Sequence, residues 1–148
     1  MDRSELFSSL KLDRFIAFDF ETTGLQVETD RAIEVAAIMF KDGKPAEKFV
    51  TLINPQIPIS DLIADITGIT NEMVTEAPLE KEIIDDLFEF LGDYPIVAHN
   101  TPFDLSFLRA MAERHNKDFI ERKCYDTLTL SRAFLFFQPT HNLSAVSY

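Results

Sequence analysis

The sequence predicts an α/β domain: a three-stranded antiparallel meander joined to parallel strands, with helices flanking the sheet. Three observations predict it. Three strand-like apolar segments follow one another through short connections in the first third of the chain. Helical periodicity then alternates with short apolar runs, the pattern of right-handed crossovers. The length, 148 residues, suits one domain with a sizeable core.

The elements justify that class in order. Ser4 to Leu12 carries Leu6, Phe7, Leu10 and Leu12, and reads as a helical lead-in packed on the sheet. Phe15 to Glu21 is an apolar run closed by the turn Thr22-Thr23-Gly24, which suits a buried strand. Phe18 and Phe20 flank Asp19, and Phe15 to Ala17 precede it, so both faces are expected to be covered. Ala32 to Lys41 is the second strand, Asp42-Gly43 is a hairpin signal, and Ala46 to Ile53 is the third strand, stopped by Asn54-Pro55. Ser60-Asp-Leu-Ile begins a short helix, which residues 67–71 interrupt. Leu79 to Leu91 repeats apolar residues at helical spacing, and Gly92 ends it. Tyr94 to Ala98 reads as a buried parallel strand. Pro102 sits in the first turn of the next helix, Phe119 to Tyr125 is a weaker strand, and Asp126 to Phe137 is a helix broken by Pro139. His141 to Tyr148 begins one more.

Two acids interrupt the first strand. Asp19 and Glu21 are two apart, so both carboxylates leave the strand on one face. Adjacent like charges repel and raise each other's pKa, and a cation between them relieves this. Hard oxygen ligands suit Mg²⁺ or Mn²⁺. Asp104 follows the Tyr94–Ala98 strand in the first turn of a helix. There an acid complements the helix dipole, and it also points back at the carboxyl edge of the sheet, where ligands of such folds bind. Three carboxylates around two divalent ions suit in-line phosphoryl displacement.

Bulk properties narrow the classes. The net charge of −11 disfavours holding duplex DNA on a broad basic surface, but not taking one strand end into a metal-bearing cleft. No apolar run is long enough to span a bilayer, and the N-terminus lacks a signal-peptide layout. A single cysteine, Cys124, leaves no internal disulfide and fits a reducing cytoplasm.

Asp19-Phe-Glu21-Thr-Thr-Gly24 resembles the first motif of the DEDD 3′-to-5′ exonucleases, and His99-Asn100-Thr-Pro-Phe103-Asp104 resembles their second. Ile66-Thr-Gly68-Ile69-Thr70 resembles the element between them, and Cys124-Tyr-Asp126-Thr127-Leu the strand-to-helix step that follows. The likeness runs from about residue 15 to the end, and is strongest to the proofreading exonucleases of bacterial DNA polymerase III. The resemblance implies a ribonuclease-H-like fold, two Mg²⁺ or Mn²⁺ ions, and removal of nucleotides from the 3′ end of single-stranded DNA, with RNA as a variant substrate. A polymerase or other replication partner is implied too. Asp19, Glu21 and Asp104 match metal ligands. Thr22, Thr23, Gly24 and Leu25 match the turn that touches the terminal nucleotide, Leu25 as a wedge. Asn100 and Phe103 match the wall near the scissile phosphate, and Ile69 an apolar contact to the terminal base.

Other residues are expected to be structural. Asp126 reads as a helix N-cap, His141 as the start of the next helix, and Cys124 as a small core residue. His115 is expected to be solvated, and Glu80, Glu82, Asp85, Asp86 and Glu89 to form the wet face of their helix. The resemblance also implies a third motif, a His base and a fourth Asp, which residues 1–148 do not contain. The expectation is therefore a single exonuclease domain incomplete at its C-terminal end, with an uncovered apolar patch on the sheet and poor hydrolysis. The rival expectation is a non-catalytic module of the same fold that binds nucleic-acid ends or a polymerase. A small-nucleotide phosphatase is a third reading.

Overall fold

The computed structural model describes residues 2–135 and 137–146, with Arg3, Phe7 and Ala145 described by backbone alone. Nine-residue β1 (Arg14–Thr22) is the centre of a five-stranded sheet. It pairs antiparallel with β2 (Ala32–Lys41), which pairs antiparallel with β3 (Lys44–Leu52). On its other side β1 pairs in parallel with β4 (Ile96–Ala98), and β4 with β5 (Cys124–Asp126), so the order is β3-β2-β1-β4-β5. This is the mixed sheet of the ribonuclease-H-like class.

Local chemistry explains the boundaries. Asp42 and Gly43 both take positive φ, 50° and 75°, which makes the tight β2–β3 turn that Asp-Gly favours. β3 begins earlier than its apolar run and includes Pro45; an edge strand tolerates a residue with no N–H to give. β4 is shorter than Tyr94 to Ala98. Pro95 cannot donate to the ladder, although its carbonyl accepts from Ile16 at 2.8 Å. A three-residue β4 leaves little to pair with, so the last strand shrinks from the expected 119–125 to Cys124–Asp126.

One face of the sheet is packed. Ile16, Phe18 and Phe20 of β1, with Val35 and Ala37 of β2, meet two helices introduced by the crossovers: Ile83, Ile84, Leu87 and Leu91 from Glu80–Leu91, and Phe107, Leu108, Met111 and Ala112 from Thr101–Arg114. Between β3 and the first of these lie two short helices, Asp61–Thr67 and Asn71–Val74. Numbered in chain order after α1 (Arg3–Ser9), they are α2 and α3, and the two long ones α4 and α5. Gly68 ends α2 at φ 75°, and Thr70 caps α3. Ile59, Ile69 and Val74 from this region join Ile33 in a second, smaller core.

The other face departs from expectation. β1 alternates buried and open positions, and Asp19 is exposed. Both faces were expected to be covered because Phe flanks the acid; but the flanking Phe18 and Phe20 point to the opposite, packed side. On the open face a trough of about 300 Å³ runs past Ala17, Ala36, Ile38 and Val97, bounded by His99, Thr127 and Leu143. α6 (Thr127–Phe134) and α7 (Leu143–Val146) lie along it. α6 stops at Phe134, short of the expected Phe137, while the expected end of the last helix at Tyr148 falls, with Phe136 and Ser147, outside the described residues.

α1 is capped by Asp2, whose carboxylate accepts from Glu5 N at 2.8 Å in a capping box. It was expected to pack on the sheet; among its described side chains, Leu6 and the C-cap Leu10 are exposed.

Candidate active site

β1 outruns its parallel neighbour. β4 pairs only with Ile16 and Ala17, while β1 continues to Thr22, past the end of that register. The Phe20 N–H would be an orphan there, and a buried unpaired donor is costly. Asp104, in the first turn of α5, fills the gap: its Oδ1 accepts from Phe20 N at 2.9 Å. The carboxyl is 2% exposed. Burial pushes it up to about 7, against the Phe20 hydrogen bond, and the charges of Asp19 and then Glu21 push in the same direction. Burial also raises Asp19; Glu21 is raised by burial, then by Asp19 and by Glu34.

The three acids are therefore electrostatic neighbours at the carboxyl end of the parallel strands. Neither Asp19 nor Glu21 makes a hydrogen bond or ion pair with any described residue. Hard oxygen donors with raised pKa and no cationic partner are a donor set that fits a divalent ion. Among the described residues, however, no three His, Cys, Asp or Glu side chains are gathered tightly enough to form a closed metal-binding group.

The turn after β1 is built by its own side chains. Thr22 Oγ1 donates to the Gly24 carbonyl at 2.7 Å, and Thr23 Oγ1 donates to Asp30 Oδ1 at 2.8 Å. Asp30 Oδ2 accepts from Gln26 N at 2.8 Å, and Arg31 N donates to Thr23 Oγ1. The Asp30 carboxylate crosses so close to Gly24 that a Cβ there would overlap it, which is why glycine occupies the position. Thr23 N and Gln26 N are used within the loop, while the N–H groups of Gly24 and Leu25 have no partner among the described residues. Leu25 is 78% exposed.

Behind the acids, Asn100 turns the chain from β4 into α5 at φ 67°. Its N–H donates to Asp126 Oδ1 at 2.9 Å, and Asp126 also caps α6 by accepting from Leu128 N at 3.0 Å. Burial raises the Asp126 carboxyl, but hydrogen bonds from Asn100, Leu128 and Thr129 outweigh it and hold the group below the usual range. It is a cap, as its place before Thr127 predicted. Phe103 packs against the core, tilted on Phe107 at 5.0 Å.

Four expectations are corrected. Ile69 was expected to touch a terminal base, but it is 4% exposed in the second core; its turn of chain instead presents Ile66, 70% exposed, because Gly68 reverses the backbone between them. Cys124 is exposed, since β5 is the sheet's edge strand. His115 is not solvated: Nε2 lies 2.9 Å from Glu80 Oε2. Glu80 in turn is no wet-face residue; it also takes a bidentate pair from Arg114, bridging α4 to α5. Burial raises its carboxyl, and Arg114 and His115 more than offset this, holding it below the usual range.

Three residues of the site were not singled out from sequence. Asp30 shapes the turn and left no signal, lying in a polar loop. Glu34 faces Glu21 across the β1–β2 ladder; an acid inside an apolar strand was its signal, the same one that exposed Asp19. His99 holds the start of α6 through Thr127 Oγ1, at 3.0 Å from Nδ1, and the approach to α7 through the His141 carbonyl, at 2.7 Å from Nε2.

A ribonuclease-H-like sheet with acids at the carboxyl ends of β1 and beside β4 defines the class as a nuclease fold. The chain matches the RNase_T family, described as Exonuclease, over residues 16–147, and it belongs to that family. Exonucleases of this family use divalent metal ions. The chain is similar to the PolC-type DNA polymerase III of Caldanaerobacter subterraneus, 43% identical over 118 residues, covering 80% of this chain and 8% of the relative. It is similar to those of Latilactobacillus sakei, 38% identical over 138 residues covering 93% and 10%, and of Bacillus subtilis, 39% over 128 residues covering 86% and 9%. The chain thus spans about a tenth of the length of these relatives. In fold it is similar to solved structures of Exonuclease I, without ligand and with a product bound, at a TM-score of 0.75 and 22% identity. These cover 86% of this chain and 32% and 33% of the Exonuclease I chains. Among the described residues no helix is long and apolar enough to cross a membrane.

Proposed function

We propose that the chain is a metal-dependent 3′–5′ exonuclease module of the proofreading kind, acting on single-stranded DNA ends beside a polymerase in the cytoplasm. The observation that carries the reading is the trio Asp19, Glu21 and Asp104, with Asp104 pinned to the Phe20 N–H inside the gap between β1 and β4. Similarity to PolC-type polymerases supports the replication setting. Asp19, Glu21 and Asp104 would hold one or two Mg²⁺ or Mn²⁺ ions, which when bound activate water and neutralise phosphate charge.

The chain's own groups supply the rest. The free N–H groups of Gly24 and Leu25 suit a terminal sugar or phosphate. Leu25 and Ile66 offer exposed apolar surface to bases. Phe103 backs the Asp104 turn. Neither His99 nor His141 is placed as a general base: both ring nitrogens of His99 are engaged, and His141 Nδ1 lies 3.1 Å from Ser131 Oγ. Positioned acid–base groups typically contribute about 10²–10⁴-fold, so hydrolysis by the described residues alone is expected to be slow.

The test uses a 3′-labelled single strand with Mn²⁺. Slow release of mononucleotides, abolished in Glu21→Ala, supports the reading. Internal cutting, or release that persists in Glu21→Ala, overturns it.

A further inference from the structure

Glu34 stands directly across the antiparallel ladder from Glu21. Residues so paired carry their side chains on one face, with Cβ atoms about 5 Å apart. Glu34 is half-buried and makes no hydrogen bond or ion pair with any described residue. The nearest cation in sequence, Arg31, is spent on the carbonyls of Glu28 and Asp30. Like charges facing each other destabilise a bare sheet. Asp19 lies on the same face of β1, opposite the small Ala36, so no bulky side chain separates the acids along that face.

We propose that Glu34 is a positioning residue for Glu21: it presses the Glu21 carboxylate toward Asp19 and Asp104 and deepens the negative potential that draws a divalent cation. The inference rests on the metal-dependent reading above. It has two consequences of opposite sign. Without metal, Glu34 costs stability; with metal, the same charge tightens binding. A residue that merely braces β2 would do neither, since its removal would destabilise the sheet and leave ion affinity in the folded protein alone.

The experiment measures Mn²⁺ binding by calorimetry and thermal melting in EDTA for wild type, Glu34→Gln, Glu34→Asp and Glu21→Gln. The expected result is that Glu34→Gln binds Mn²⁺ about two- to fivefold more weakly, the range that one facing charge pair gives. The same variant melts about 2 °C higher without metal. Glu34→Asp keeps the charge and is expected to hold affinity near wild type. A Glu34→Gln protein that binds Mn²⁺ as wild type does, while Glu21→Gln is weakened, overturns this inference alone. A lower metal-free melting temperature, or failure to fold, in Glu34→Gln assigns a bracing role and also overturns it. If wild type binds no Mn²⁺, the metal-dependent reading falls and this inference with it.

Discussion

Replacing Asp104 by Asn should make the metal-free protein more stable at neutral and alkaline pH. Asn keeps the shape, and its carbonyl can still accept from Phe20 N; only the charge is removed. The Asp104 carboxyl is raised from 3.8 to about 7, first by burial and then by Asp19 and Glu21. A group raised on folding favours the folded state below its unfolded pKa, and that contribution is lost as pH rises through the folded value. The loss therefore spans the interval from pH 3.8 to about 7. At 1.36 kcal/mol per unit it reaches about 4 kcal/mol at most, before relaxation of the site is allowed for. Urea unfolding in EDTA at pH 5 and pH 8 measures it. At pH 5 about a third of the interval above 3.8 has been crossed, so the gap should be about 1.5 kcal/mol; it should widen toward about 4 kcal/mol at pH 8, with Asp104→Asn the more stable. The difference between the two proteins isolates the carboxyl. Equal slopes with pH, or an Asp104→Asn protein less stable at pH 8, would refute the electrostatic account of the site.

Other outcomes follow from the same geometry. Asp126→Ala removes the α6 cap and the tie to Asn100, so stability should fall by about 1–2 kcal/mol in thermal melts. Because the Asp126 carboxyl is held below its usual range, its contribution is present above the unfolded pKa and should fade as pH falls through the folded one. Glu80→Gln weakens the α4–α5 bridge to Arg114 and His115, and denaturant unfolding should show a loss of about 1.5–3 kcal/mol, typical of hydrogen bonds to charged groups. Ile69→Ala should cost about 2–5 kcal/mol by opening the second core. Ile66→Ser should leave the melt nearly unchanged and weaken oligonucleotide binding, measured by fluorescence anisotropy; unchanged affinity would remove Ile66 from the interface.

The sequence by itself determined the class and the order of elements. Period-two and period-3.6 patterns mark β1, β2, α4 and α5 because those segments bury one defined face, and burial leaves a trace in residue type. The Asp19/Glu21 pair was legible for a related reason: charge inside an apolar strand is conspicuous. Asp126 could be named a cap because capping chemistry is local, requiring only an oxygen before a helix. What the tertiary structure decided were the relations between segments distant in the chain. That Asp104 closes on the Phe20 N–H depends on β4 ending early, and a pattern along one strand does not record where its neighbour stops. The register that sets Glu34 against Glu21, and the bridge of Glu80 to Arg114 and His115, are likewise pairings across the fold. Ile66 and Ile69 show the limit most plainly. Both are isoleucines in one short motif, and only the left-handed turn at Gly68 settles that one is core and the other surface, since that turn decides which way each side chain faces.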